Sequence, residues 1–168
     1  MAKVAFVLGP DFEDSEFKVP YDRIRAAGHD VTVIGTKAGE QVTGKRGKER
    51  FTPEVGPRDV DAGDFDALVI PGGYSPDKLR VDDGIVSFVR KMGDQGRVVA
   101  AICHAGSLLI EADVLEGRTV TSWPSIRTDL INAGADWVDR QVAIDDNFIT
   151  SRKPDDLEAF SAAILERL

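Results

Sequence analysis

The sequence predicts an α/β fold in which a mostly parallel sheet is covered by helices on both faces. Short apolar segments bounded by glycine or proline indicate buried strands, and the segments between them repeat apolar residues at helical spacing. The size agrees, because 168 residues with 42% hydrophobic side chains are enough to enclose one core. We therefore expect a single domain over residues 1–168.

The first 34 residues predict a strand, a helix and a second strand, which is the size of one βαβ unit. Residues 3–8 form the first apolar strand, which Gly9-Pro10 ends, and residues 31–34 form the second. Between them, Phe17, Tyr21 and Ile24 recur at positions i, i+4 and i+7, which places them on one face of an amphipathic helix.

After one irregular stretch, the rest of the chain again alternates strands and helices. Residues 36–63 hold five glycines and two prolines, and we expect hairpins and loops there. Further strands are predicted at residues 67–70, 98–102 and 120–121, with a two-strand hairpin at residues 142–144 and 148–150. Apolar residues at helical spacing predict helices over residues 81–92, 105–112, 126–133 and 157–168, and Gly93 and Gly96 end the first of these.

Charge and composition exclude several classes of partner. The formal net charge of −8 repels phosphate backbones and acidic membrane surfaces, so we expect no nucleic acid and no membrane as partner. No apolar run approaches the roughly 20 residues of a membrane helix, and we expect a soluble, cytoplasmic protein. Gly44-Lys45-Arg46-Gly47 matches the GxxG loop of a nucleic-acid-binding domain, but in so acidic a chain we interpret it as a solvated loop.

The chain contains one cysteine, Cys103, and two histidines, His29 and His104. A single thiol excludes an internal disulfide, and these three residues cannot form a Cys/His zinc site within one chain. No GxGxxG or Walker loop predicts a nucleotide site. We therefore expect neither a metal nor a cofactor.

Three strand ends carry unusual residues, and ligands bind at the carboxyl ends of strands in parallel sheets. They are residues 9–14, 71–74 and 103–106. Cys103 directly follows five apolar residues and a predicted helix starts almost at once, so its thiol should stand at a sharp strand-to-helix turn. A helix N-terminus favours the thiolate, which makes Cys103 a candidate nucleophile, whereas a lone cysteine can equally be a small buried hydrophobe.

The polar residues and glycines at these strand ends each allow two interpretations. His104 either serves Cys103 through the bend of the turn or is a structural hydrogen-bonding residue. Glu13 either hydrogen-bonds the thiol or, with Asp14, complements the dipole of the first helix. Gly72-Gly73 either forms a plain turn or lets a backbone N–H approach an oxyanion.

Segments along nearly the whole chain together match one known family. They are Phe12-Glu13-Asp14 with Pro20-Tyr21, residues 65–73, residues 101–104, Gly117-Arg118 with Thr121-Ser122, residues 131–135 with Trp137-Val138-Asp139, and Ser151-Arg152. On these segments the chain resembles the PfpI-type intracellular proteases of the ThiJ/PfpI (DJ-one) superfamily. The resemblance implies a flavodoxin-like three-layer sandwich of the class I glutamine amidotransferase-like group.

The resemblance also implies roles for individual residues. Cys103 would be the nucleophile, Glu13 the carboxyl group that hydrogen-bonds it, and His104 the neighbouring base. A carboxylate after the Gly-Gly pair would orient this histidine, and in oligomers the neighbouring subunit would supply it. The matching residue here is Asp77, where the founding protease has the longer glutamate. Backbone N–H groups of Gly72-Gly73 and His104 would form the oxyanion hole.

The function that the resemblance implies is covalent thiol chemistry in the stress response. Its members are described as proteases, as glyoxalases or deglycases acting on methylglyoxal and its adducts, and as stress-response proteins. We expect Cys103 to attack the carbonyl group of a small reactive carbonyl compound or of a peptide, in a homodimer or higher homo-oligomer. The sequence has no histidine after His104, which argues against a glutaminase triad with a late base. The alternative is a redox sensor or holdase whose Cys103 is oxidised to a sulfinic acid held by Glu13.

Overall fold

Ten strands and six helices form along the chain in the computed structural model, which describes residues 1–168. The strands are β1 (Lys3–Val7), β2 (Asp30–Ile34), β3 (Val42–Thr43), β4 (Arg50–Phe51), β5 (Ala67–Ile70), β6 (Val98–Ile102), β7 (Thr119–Val120), β8 (Asp136–Trp137), β9 (Val142–Asp145) and β10 (Phe148–Ser151). The helices are α1 (Asp14–Ala26), α2 (Ser75–Leu79), α3 (Asp83–Asp94), α4 (Gly106–Glu111), α5 (Arg127–Asn132) and α6 (Leu157–Leu165). None of these helices has the length and apolar character that a membrane crossing requires.

Six of the strands form one sheet in the order β2-β1-β5-β6-β10-β9. The strands from β2 to β10 pair in parallel, and β9 joins the edge antiparallel through its hairpin with β10. The predicted mostly parallel sheet is therefore confirmed. The direction in which strands are added reverses between β1 and β5, and the carboxyl ends of strands at such a reversal form the crevice in which α/β folds bind ligands.

Alternate side chains of each strand pack into two separate cores. In β1, Val4 and Phe6 pack with residues of α1 and α6, whereas Ala5 and Val7 pack with residues of α3, α4 and α5. Because the sheet is buried on both faces, its strands are continuously apolar rather than alternating. The arrangement is the three-layer sandwich that was predicted.

Three local features differ from the sequence prediction. Val81 is 82% exposed and lies before α3, because the Asp82 carboxylate accepts a hydrogen bond from the Ile85 backbone N–H at 2.9 Å and caps the helix there. Gly93 lies inside α3, and only Gly96, with φ of 70°, follows the end of the helix. The strand predicted at residues 120–121 is β7, which pairs with β8 outside the main sheet.

The irregular stretch forms a hairpin and loops, as predicted, and its β3–β4 loop is anchored to the start of α1. The carboxylate of Asp14, itself buried, accepts hydrogen bonds from the backbone N–H groups of Arg46, Lys48 and Glu49, each at 2.9 Å. A Cβ at Gly44 would stand 2.2 Å from Asp14 Oδ1, so the loop can approach this closely only with glycine there. The anchor brings the loop of residues 44–49 to the carboxyl ends of the central strands.

Candidate active site

Cys103 lies at a strained turn directly after β6. Its φ of 63° is in the left-handed region, which costs a non-glycine residue of order 1 kcal/mol or more. One turn of 3₁₀ helix, Cys103–Ala105, then leads into α4. This is the strand-to-helix turn predicted from the sequence, and it leaves Cys103 9% exposed in the wall of a pocket.

The carboxyl group that interacts with this thiol belongs to Glu16. Glu16 lies in the first turn of α1 and is fully buried, at 0% exposure. Its Oε1 accepts a hydrogen bond from the Gly72 backbone N–H at 2.9 Å. Its Oε2 has no hydrogen-bond partner. The carboxyl group lies beside Cys103, because a Cβ built at Gly72 would stand 2.5 Å from Glu16 Oε1 and 2.9 Å from Cys103 Cβ, and the two side chains affect each other's pKa.

Glu13, for which the thiol contact was predicted, holds two cations at the mouth of the same pocket. It precedes α1 with an extended backbone, and its carboxylate is buried. Lys45 Nζ lies 2.9 Å from one carboxylate oxygen, and Arg46 Nε donates a 2.9 Å hydrogen bond to the other. Both oxygens contact these cations, and no hydrogen bond joins Glu13 to the Cys103 thiol in the structure, so the contact predicted for Glu13 is not made here.

The ionisation of Glu16 and Cys103 is coupled. Burial raises the pKa of Glu16 to about 8; the Gly72 N–H opposes the rise and the charge of Glu13 adds to it. Burial also raises the pKa of Cys103, and the charge of Glu16 raises it further, whereas the backbone N–H groups of His104 and Gly73 lower it. Two acids that share one buried site lose their protons in two separate steps, because the charge left by the first loss opposes the second. At neutral pH the pair of Glu16 and Cys103 therefore carries at most one negative charge.

His104 lies at the pocket and Asp77 does not. The His104 ring is half-buried beside Trp123, with the ring centroids 6.4 Å apart. Burial lowers the pKa of His104, and the positive charge of Lys45 lowers it further, so the imidazole is neutral at pH 7. Asp77 is exposed in α2, outside the lining of the pocket, so the orienting contact predicted between Asp77 and His104 is not made within one chain.

Gly72 and Gly73 allow the loop after β5 to pass close to both acids. A Cβ at Gly72 would stand 2.5 Å from Glu16 Oε1 and 2.9 Å from Cys103 Cβ. Gly73 has φ of 76°, and a Cβ there would stand 2.4 Å from the Glu13 backbone nitrogen. Only glycine fits either position. The Gly72 N–H therefore reaches the Glu16 carboxylate, and the Gly73 N–H reaches the Cys103 thiol, whose pKa it lowers.

These groups surround a small pocket of about 240 Å³. It is lined by Glu13, Glu16, Lys45, Arg46, Cys103, His104, Trp123 and Pro154. Larger hollows of about 400 and 540 Å³ share Pro57 and Arg58, but they contain neither cysteine nor histidine. No group of three or more His, Cys, Asp or Glu side chains is arranged to hold a metal ion. A thiol, a buried acid, a neutral imidazole and backbone N–H donors together suit nucleophilic attack on a small electrophile.

The roles of Glu16, Lys45 and Arg46 at the site were not predicted from the sequence. Glu16 precedes the buried Pro20 and Ile24 by four and eight positions, so a carboxylate on the apolar face of the helix was the available signal. Lys45 and Arg46 reach the pocket because Asp14 anchors their loop. This contact is long-range, so no local sequence pattern predicts it. The interpretation of residues 44–47 as merely a solvated loop is corrected accordingly.

Comparison with known proteins identifies the family. The DJ-1/PfpI family profile matches residues 2–167. The chain is 47% identical to General stress protein 18 of Bacillus subtilis, over 98% of each chain. It is 46% identical to Protein/nucleic acid deglycase 2 of Escherichia coli, over 99% of this chain and 97% of the relative. The crystal structure of Drosophila melanogaster DJ-1beta superposes with a TM-score of 0.91 at 34% identity, covering 99% of this chain and 90% of the other. The chain therefore belongs to the DJ-1/PfpI family.

Proposed function

We propose that this protein is a stress-response cysteine enzyme that acts on small reactive carbonyl compounds, in the manner of a glyoxalase or deglycase. One observation carries the proposal: the single cysteine, at a strained turn, interacts with a fully buried carboxyl group inside a small pocket. Strained residues and acids with a perturbed pKa cluster at functional sites. The names of the stress protein and the deglycase that the chain is similar to support the same conclusion.

The groups at the site can carry out addition of a thiol to a carbonyl group. The ionised form of Glu16, a minority at pH 7 because the pKa is raised to about 8, accepts the Cys103 proton as the sulfur forms a bond to the carbonyl carbon. The π electrons of the carbonyl group move to its oxygen, and the N–H groups of Gly73 and His104 stabilise the resulting oxyanion. Protonated Glu16 then returns the proton to this oxygen, which completes a hemithioacetal without any external oxidant or reductant.

The size of the pocket favours a small molecule over a polypeptide. Its volume of about 240 Å³ lies below the range of roughly 300–1,000 Å³ that drug-sized ligands occupy. A protease must also bind several residues of extended chain beside its nucleophile, whereas Cys103 is 9% exposed and Lys45 and Arg46 stand at the mouth. A three-carbon dicarbonyl compound meets neither obstacle.

Turnover by the parent protein and a Cys103→Ala variant tests the proposal. Each protein is assayed with methylglyoxal and, separately, with an unfolded protein substrate. We expect the parent to consume methylglyoxal and the variant to lose this activity. A Cys103→Ala variant that retains the parent's activity would refute the cysteine-enzyme assignment, and cleavage of the unfolded protein without consumption of methylglyoxal would favour a peptidase.

A redox sensor or holdase is a second candidate, and the free Oε2 of Glu16 supports it. A buried carboxyl group that keeps its proton near neutral pH can donate a hydrogen bond to a sulfinate oxygen on Cys103. Mass spectrometry after mild peroxide treatment separates the candidates. A stable gain of two oxygen atoms on Cys103 without turnover supports the sensor, whereas an unmodified thiol with turnover supports the enzyme.

We also propose that the protein acts in the cytoplasm and as a homo-oligomer. A single unpaired cysteine suits a reducing compartment. Asp77 is exposed in α2, where it could orient the histidine of a neighbouring subunit. Light scattering on the parent and on an Asp77→Ala variant, together with their turnover, tests whether a second copy completes the site.

A further inference from the structure

We propose that Lys45 and Arg46 make the site selective for carbonyl compounds that carry a carboxylate group. The inference rests on the proposed function in taking Cys103 as the nucleophile, and it names the substrate class. The loop between β3 and β4, which carries both cations, thereby becomes a specificity element for the pocket. The Lys45 ammonium group and the Arg46 guanidinium group would pair with the carboxylate of the substrate.

The charges at the mouth do not cancel. Glu13 supplies one negative charge and is buried, whereas Lys45 and Arg46 supply two positive charges whose side chains are 33% and 58% exposed. One positive charge is therefore in excess at the entrance, in a protein whose formal net charge is −8. Such a local reversal of sign attracts anionic substrates that the rest of the surface repels.

Both cations keep donors free for a ligand. Arg46 donates to Glu13 through Nε, and its two terminal nitrogens have no protein acceptor. Lys45 pairs with Glu13 and lies over the Tyr74 ring at 5.8 Å, which leaves further ammonium protons unpaired. Its charge is also felt within the site, since it lowers the pKa of His104.

The position of these cations is fixed by the fold. The buried Asp14 carboxylate accepts three backbone N–H groups of the loop, one of them from Arg46 itself. Lys45 is tied down as well, because its backbone N–H donates to the Phe12 carbonyl oxygen at 2.8 Å. Asp14 is therefore a positioning residue, and the loop holds its charges at the pocket before a ligand arrives.

Alkylation of Cys103 by two matched reagents tests the selectivity. Iodoacetate is anionic and iodoacetamide is neutral, and with either reagent the thiolate forms an S–C bond while iodide leaves. The ratio of the two rate constants, divided by the same ratio for 2-mercaptoethanol, measures the preference for an anion. A change in the pKa of the thiol alters both rates alike and cancels in this ratio.

Variants that each remove one charge should change the normalised ratio of alkylation rates in a defined direction and by a defined factor. Lys45→Met and Arg46→Met should each lower the normalised ratio about fivefold, which is the effect expected between one cation and the reagent's carboxylate about 8 Å apart at an effective dielectric constant of about 40. Glu13→Gln should raise the ratio, because it removes the only anion at the mouth. Lys48→Met, the same chemical change at a residue of the loop outside the pocket lining, should leave the ratio close to that of the parent.

The outcomes separate this inference from the proposed function. A parent ratio that 1 M salt reduces and that the Lys45 and Arg46 variants lower supports the inference, even if no carbonyl compound is turned over. A ratio that is the same in the parent and in both variants overturns it, even if methylglyoxal is consumed. An equal fall in Lys48→Met also overturns it, because the effect would then belong to overall charge.

Discussion

The buried carboxyl group of Glu16 should make the protein less stable as the pH rises, and Glu16→Gln should remove this dependence. The folded-state pKa of Glu16 lies above its ordinary value of 4.5, at about 8, chiefly because of burial. The folded state therefore binds this proton more tightly than the unfolded state does. Its stabilising contribution is complete below pH 4.5 and is lost as the pH rises toward and through 8.

The magnitude follows from the same pair of values. A pKa that rises from 4.5 to about 8 corresponds to about 5 kcal/mol between low and high pH. Glutamine has nearly the same shape, can still accept the Gly72 N–H through its oxygen, and does not titrate. The free energy of unfolding of the glutamine variant should therefore lack this term at every pH.

Urea unfolding at pH 5 and pH 8.5 measures the effect. The comparison is made in a Cys103→Ala background, so that only one of the two coupled acids is present. Between these pH values the free energy of unfolding of the protein that keeps Glu16 should fall by about 4 kcal/mol more than that of the Glu16→Gln variant, which is most of the full linkage term. Parallel pH dependence of the two proteins would refute the claim that Glu16 is buried as a protonated acid.

Three further predictions concern the backbone around the site. Gly72→Ala should lower the urea midpoint and slow alkylation of Cys103, because the new Cβ would stand 2.5 Å from a Glu16 oxygen. Gly56→Ala is the control and should have neither effect, because its Cβ would meet nothing nearer than 3.5 Å. Cys103→Gly should be about 1 kcal/mol more stable to urea than Cys103→Ala, since glycine adopts a φ of 63° without strain, and equal stability would show that the turn is unstrained. Asp14→Asn should cost about 2 kcal/mol at pH 7, because an amide cannot accept all three N–H groups. Burial raises the pKa of Asp14, but these hydrogen bonds lower it more and hold it below 3.8. The difference in stability between the parent and Asp14→Asn should therefore be smaller when urea unfolding is measured at pH 3. A difference as large as at pH 7 would contradict the role of the carboxylate charge.

Much of the fold followed from local patterns, because a parallel sheet buried on both faces requires continuously apolar strands. The turn at Cys103 could be predicted for the same reason: an apolar strand runs directly into a helix with no turn residue between them. The start of α3 was misplaced because Val81 continues the apolar spacing of the helix, whereas the hydrogen bond from Ile85 to the Asp82 side chain begins it. A capping contact of this kind outweighs periodicity at a helix end.

The carboxyl partner of the thiol was misassigned for a different reason. Glu13 and Glu16 are separated by less than one helical turn, and either could reach the end of β6 if only sequence distance counted. The choice depends on where α1 begins and on Lys45 and Arg46, which occupy the Glu13 carboxylate from a loop more than thirty residues away. Such a contact is determined by tertiary structure, so the sequence supplied the correct kind of residue but not its position.

Turnover of methylglyoxal by Glu16→Gln, beside Glu13→Gln and the parent, tests the central claim most directly. If Glu16 moves the proton of Cys103, Glu16→Gln should lower kcat/KM by about 100-fold or more, the usual contribution of a general acid or base. Glu13→Gln should lower it less, because methylglyoxal is neutral and Glu13 holds only the cations at the mouth. A Glu16→Gln protein with the parent's kcat/KM, or a larger loss in Glu13→Gln, would contradict the account.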